Sequence, residues 1–252
     1  MTALHYILHT STNSRPPLIL IHGAGGSFLS WHPHLRRLDG ETVFTLDLSG
    51  HGKSAGPGRQ TIKGYAEDVL AFIRENNIQK PVVVGHSMGS AIALTLALNH
   101  PNQFSGLALL GAGAKLRVSP LILEKAKNPQ TFAEAVQLVN EYSFRPGAPK
   151  DLLRLSNETM LQTNPQILLG DFLACDSFDV IERLNMLQTP TLIVCGLLDV
   201  MAPPKFSKFL YEKIPNARLH LLEETGHMLT LEQPDAVADL LKSFLDELPP
   251  QP

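Results

Sequence analysis

The chain has 252 residues, 44% of them hydrophobic and 18% charged, with a formal net charge of −3. That length and balance fit one globular domain with a large core. They lack the clustered positive charge of a nucleic-acid binder, and no apolar run reaches the eighteen or so residues that cross a bilayer.

The first apolar stretch, residues 5–9, reads as an edge strand. Residues 18–22 and 43–47 read as strands, and most of the strand candidates along the chain are nearly continuous Val/Ile/Leu runs, as strands covered on both faces should be. Residues 62–76 carry Ile62, Tyr65, Val69, Phe72 and Ile73 at helical spacing. A third buried strand, 82–85, leads into a segment, 88–98, that is apolar nearly all round and therefore predicts a buried helix. A strand at 106–110 follows.

The alternation then stops. Residues 115–180 hold no convincing strand. They hold helical stretches at 121–127, 132–142, 151–161 and 165–176, separated by Pro120, Pro129, Pro146, Pro149 and Pro165. Helices inserted after a strand of an α/β pattern predict a lid or an embellishment over a ligand site. The pattern resumes with a strand at 191–196, a helix at 203–213, a strand at 218–222 and a helix at 231–248. Pro234 sits in the first turn of that last helix, where proline is tolerated. The expected fold class is α/β, a mostly parallel, doubly wound sheet with helices on both faces. The core spans 1–114 and 181–252, and the helical cap spans 115–180.

The two cysteines, Cys175 and Cys195, make no disulfide framework and no cysteine-rich zinc site. Cys195 lies in an apolar run and is expected to be a buried thiol. Residues 1–6 lack the basic-then-apolar order of a signal peptide, so the expected location is cytoplasmic.

Gly85-His86-Ser87-Met88-Gly89 sits between a predicted strand and a predicted helix. A nucleophile there protrudes from a sharp turn, and the glycines remove Cβ atoms that would clash. The helix N-terminus favours developing negative charge, and the Met88 N–H, directly after Ser87, is an oxyanion donor. The loop His22-Gly23-Ala24-Gly25-Gly26 supplies a second donor. It matches neither nucleotide-binding glycine pattern. Downstream, Asp199 follows the strand at 191–196 and His227 follows the strand at 218–222. Serine needs an adjacent base, histidine has the pKa for that work, and a carboxylate fixes the histidine tautomer. Asp176 and Asp179 are rival acids. His86 is read as a packing residue or one that tunes the site. Glu223 and Glu224 are read as a solvated pair.

With these motifs the whole chain resembles the α/β-hydrolase superfamily. Asp47-Leu48-Ser49-Gly50-His51-Gly52-Lys53-Ser54 is similar to a structural turn common among its esterases. The resemblance implies Ser87 as nucleophile, Asp199 as acid and His227 as base. It implies Ala24 and Met88 as the oxyanion donors, with Gly25 the alternative if the loop turns differently. It implies no metal and no organic cofactor. A serine at position 87 argues against the family's dehalogenases and epoxide hydrolases, which carry aspartate there.

The expected activity is hydrolysis of carboxylic esters of small to medium acyl chain through an acyl-enzyme. Carbon–carbon bond hydrolysis, elimination and perhydrolysis use the same three residues, and a non-catalytic binding protein is the reading from another class. The first two call for an anion clamp, for which only Arg36, Arg37 and Arg145 offer themselves. Gly25, Phe28, Trp31, Phe144, Met201 and Met228 are the expected substrate contacts, with Phe132, Tyr142, Met160 and Phe172 as further pocket candidates. The expected partner is a small-molecule ester, with no nucleic acid and no membrane. The chain is expected as a monomer or small homo-oligomer.

Overall fold

The computed structural model describes residues 3–248; the outermost residues of the expected domain bounds, and Met1 and Thr2, lie outside them. Seven strands form one sheet. In chain order they are β1 (Tyr6–His9), β2 (Leu18–Ile21), β3 (Val43–Leu46), β4 (Val82–His86), β5 (Gly106–Leu110), β6 (Thr191–Gly196) and β7 (Ala217–Leu222). Their spatial order is β1-β3-β2-β4-β5-β6-β7. Only the β1–β3 pair is antiparallel. β2 to β6 are almost entirely buried, as strands covered on both faces must be. β1 and β7 alternate between covered and exposed residues because each is an edge.

Helices cover both faces. The helices α1 (Pro33–Arg36), α2 (Ile62–Glu75) and α3 (Met88–Asn99) precede or flank the central strands. The four helices α4 (Pro120–Lys127), α5 (Phe132–Ser143), α6 (Lys150–Leu161) and α7 (Pro165–Ser177) fill the interval between β5 and β6. Then come α8 (Pro204–Lys213), α9 (Leu229–Glu232) and α10 (Pro234–Glu247). Side chains of α2, α3 and α8 pack with Ile19, Ile21 and Val83 on one face of the sheet. Trp31, Leu35 of α1 and Val237, Leu241 of α10 pack with Leu18, Leu20 and Val84 on the other. The predicted stripe Ile62, Tyr65, Val69, Phe72 and Ile73 is buried, and α3 is buried on all sides from Met88 to Ala97. The helices α4, α5 and α7 share a separate apolar cluster around Ala135, Val136 and Leu168.

One helix expectation fails. Residues 231–248 are not continuous: α9 ends and α10 begins at Gln233, with φ −137° and ψ 57°. Pro234 disfavours the α conformation in the residue before it, so the helix stops and restarts.

The strand order reverses between β2 and β4, since the chain runs outward from β2 to β3 on one side and from β4 to β7 on the other. The carboxyl ends of two such strands open a crevice in which ligands sit. The glycine loop after β2 and Ser87 after β4 both lie there.

Candidate active site

Ser87 has φ 53° and ψ −115°, a left-handed conformation that a non-glycine residue rarely adopts. The flanking glycines permit it by close approach. A Cβ on Gly85 would stand 2.1 Å from the Gly89 carbonyl oxygen, and one on Gly89 would stand 2.2 Å from the Ile21 carbonyl oxygen. The turn is therefore wedged against β2, and the serine is left half-buried at the tip. Its N–H is held by the Leu110 carbonyl at 2.9 Å.

His227 and Asp199 meet in the loops that follow β7 and β6. His227 Nδ1 lies 2.8 Å from Asp199 Oδ2, with both side chains almost fully buried. The other oxygen, Asp199 Oδ1, accepts the N–H groups of Met201 and Ala202 at 2.9 and 2.8 Å. Two glycines make room for the pair. A Cβ on Gly111 would come within 3.0 Å of the His227 ring, and one on Gly196 within 2.2 Å of the Thr225 carbonyl oxygen. Glu232 ties the histidine loop down by accepting the N–H groups of Gly226 and Arg145. Burial raises its pKa.

The rival acids are elsewhere. Asp176 accepts the Val118 N–H, and Asp179 pairs with Lys115. Glu223 and Glu224 are exposed. His86 packs its ring 4.9 Å from that of His227 and hydrogen-bonds the His227 carbonyl through Nε2 at 2.9 Å. A carbonyl only accepts, so Nε2 carries the proton. Burial, then the neighbouring His227, pushes the His86 pKa down to about 3, so it stays neutral.

Two cavities, of about 300 and 320 Å³, meet at this centre. Both are lined by Ala24, Ser87, Val139, Phe172, Met201 and His227. Gly25, Met160 and Met228 line the first, and Tyr142 the second. Phe28, Trp31 and Phe144 line neither. The Phe28 ring instead stacks under the Arg36 guanidinium at 5.2 Å. Trp31 is fully buried on the far face of the sheet. Phe144 is buried where the end of α5 abuts Gly226. Phe132 belongs to the helical cluster. Arg36, Arg37 and Arg145 line neither cavity. Arg117 lines the second but donates to the Asp176 carbonyl at 2.7 Å.

The glycine loop settles which N–H groups are unspent. Gly25 donates to Asp171 Oδ2 at 2.8 Å, so the alternative donor is occupied. Among the described residues the N–H groups of Ala24 and Met88 donate to nothing. The loop is also held by His22, whose Nδ1 meets the Gly23 carbonyl at 2.8 Å while Nε2 accepts the Leu48 N–H at 3.1 Å. Burial, then the adjacent His51, lowers the His22 pKa to about 3, which fits this neutral tautomer. Asp47 caps the following turn by accepting the N–H groups of Phe28 and Lys53.

Reading the sequence alone missed Asp171. It is fully buried in α7, where it takes bonds from Gly25, His51 and Tyr65. The available signal was a single carboxylate in the otherwise apolar run from Ile167 to Ala174. Such a group is seldom buried without partners.

Residues 16–234 match the family model for the alpha/beta hydrolase fold. The chain is 28% identical over 260 residues to the Agrobacterium fabrum protein named "Putative carbamate hydrolase RutD", covering 96% of this chain and 98% of that one. Its structure resembles the enol-lactonase of Burkholderia xenovorans LB400, with a TM-score of 0.87 and 25% identity over 97% of this chain and 96% of that one. An esterase from Exiguobacterium antarcticum gives a TM-score of 0.88 at 22% identity, covering 98% and 96% of the two chains, which is a likeness of fold.

Proposed function

We propose that this chain, which belongs to the α/β-hydrolase family, is a serine hydrolase that cleaves carboxylic esters of small to medium acyl chain. Residues 115–180 act as the cap over its site. The observation that carries the reading is the His227–Asp199 contact at 2.8 Å, with His227 lining one cavity alongside Ser87 and Ala24.

The chemistry follows from the hydrogen bonds. Asp199 Oδ2 accepts from Nδ1, so the lone pair of His227 lies on Nε2. Nε2 takes the Ser87 proton as Oγ attacks the acyl carbon. The carbonyl oxygen gains the negative charge, and the N–H groups of Ala24 and Met88 receive it at the start of α3. Each such donor is worth roughly 10²–10³ in rate. His227 returns the proton to the leaving alcohol. Water then attacks the acyl-serine with the same base, and the acid departs. His86 stays neutral throughout and fixes the His227 backbone.

Among the described residues one arginine, Arg117, lines either cavity, and its Nη1 is turned to the Asp176 carbonyl beside the Asp176 carboxylate; that favours an uncharged substrate over the anionic ones that carbon–carbon hydrolysis or elimination would use. Lactones and carbamates present the same electrophilic carbonyl and belong in the substrate panel. The test is turnover of p-nitrophenyl butyrate by wild type and Ser87→Ala. Wild type should hydrolyse it and react with a fluorophosphonate at Ser87, and folded Ser87→Ala should lose nearly all turnover. Wild-type turnover in the variant would sink the proposal.

A further inference from the structure

Gly25, beside the donor Ala24, is held by the helical segment at both ends of its peptide groups. Its N–H goes to Asp171 of α7 at 2.8 Å. Its carbonyl accepts the Thr163 hydroxyl, just before α7, at 3.1 Å. Its φ is +62°, and a Cβ there would stand 2.6 Å from Leu168 Cδ1, again on α7. Among the described residues, nothing in the sheet holds residue 25 in this way.

Asp171 is in turn fixed from the core. His51 Nε2 lies 2.8 Å from its Oδ2 and the Tyr65 hydroxyl donates to its Oδ1 at 2.5 Å. The other nitrogen of His51, Nδ1, faces the Ser49 carbonyl at 3.1 Å. Both nitrogens thus meet acceptors, the arrangement of a doubly protonated ring. Burial opposes that charge, but Asp171, the Ser49 carbonyl and Asp47 outweigh it and raise the pKa. The orientation of the carboxylate is therefore set by three donors, and a hydrogen bond from a backbone N–H to a carboxylate is stronger than one to a neutral acceptor.

We infer that Asp171 is a positioning residue: from the cap it clamps the 23–26 loop so that the Ala24 N–H faces the carbonyl oxygen of the substrate. The inference rests on the serine-hydrolase reading for its kinetic consequence. A displaced donor leaves substrate binding alone and weakens only the charge-bearing state, so the loss appears in kcat and not in KM.

The test compares Asp171→Asn and Thr163→Val with wild type on p-nitrophenyl butyrate. It adds inhibition by a trifluoromethyl ketone, whose serine adduct carries the oxyanion, and amide exchange of residues 23–26. Asp171→Asn should lower kcat about tenfold to a hundredfold, less than deleting a donor outright. KM should move less than about threefold, and ketone affinity should fall in step with kcat/KM. Thr163→Val should do the same more weakly, by about threefold to tenfold. Exchange at 23–26 should speed up in both. A folded Asp171→Asn with unchanged kcat and ketone affinity, however much its melting temperature drops, overturns the clamp. If that variant does not fold, unchanged kcat and exchange in Thr163→Val overturn it instead. Wild type inert toward ester and fluorophosphonate would overturn the hydrolase reading, and the exchange rates would still decide the clamp.

Discussion

Asp199→Asn exchanges one carboxylate oxygen for an NH₂ group and should reverse the tautomer of His227. Asp199 Oδ1 is fixed by two backbone donors, Met201 and Ala202, at 2.9 and 2.8 Å. An asparagine must keep its carbonyl oxygen there, because an NH₂ would face two N–H groups. Its NH₂ is then forced into the Oδ2 position, 2.8 Å from His227 Nδ1. Nδ1 must become the acceptor, so the proton moves to Nε2, which on the proposed mechanism is the base for Ser87 and can then no longer take its proton. A wrong-tautomer base of this kind costs about 10⁴ in kcat, or about 5.4 kcal/mol. The packing is nearly isosteric, so the melting temperature and KM should stay close to wild type. The assay is kcat for p-nitrophenyl butyrate at pH 7.5 on protein shown to be folded by circular dichroism. A folded variant within tenfold of wild type would refute the tautomer reasoning, and the same loss in Asp176→Asn would move the acid role away from Asp199.

Three further outcomes follow from the geometry. Gly89→Ala places a Cβ 2.2 Å from the Ile21 oxygen and should cost about 3 kcal/mol or more, read from the urea midpoint; an unchanged midpoint would mean β2 and β4 can separate freely. Acid should destabilise the protein through His22 and His86. Their folded pKa of about 3 lies below the ordinary 6.5, so below pH 6.5 the unfolded chain binds protons that the folded chain refuses, and stability should fall by about 2 kcal/mol from pH 6.5 to 5.5. His51 has the opposite sign. Its raised pKa gives stability that is complete below 6.5 and lost as pH rises through the folded value. Urea melts should show that alkaline decline in wild type and its disappearance in Asp171→Asn; equal declines in both would mean that Asp171 is not what holds the His51 proton.

The elements that periodicity sees were legible in the sequence. Buried strands wrote themselves as apolar runs, and α2 as a 3.6-residue stripe. Ser87, Asp199 and His227 were legible as candidates because each stands at or shortly after the end of a strand, where topology brings them to one sheet edge. Residues whose role depends on a distant partner were not. Phe28 and Trp31 look like pocket residues in a one-dimensional reading because they follow the donor loop, yet the turn at Phe28–Ser30 sends Trp31 to the other face of the sheet. Asp171 lies 146 residues from Gly25, and no local pattern encodes that pairing. The choice between Ala24 and Gly25 as donor was likewise open in sequence, because the bond that occupies the Gly25 N–H comes from that same distant carboxylate.

The two cavities that share Ser87 bear on the order in which a reaction would empty the site. Each has its own apolar rim at the surface, with Leu29 and Leu155 exposed at one and Tyr142 and Val200 at the other. An ester straddling the serine would lie with one part in each chamber. On the proposed ester hydrolysis, the alcohol would then have an exit that the acyl chain does not block, and the vacated chamber would become the channel by which water reaches the acyl-serine. Turnover of esters with a long acyl chain would be governed by how that chamber wets, and a bulky alcohol lingering in it would divert the intermediate toward transfer back to alcohol.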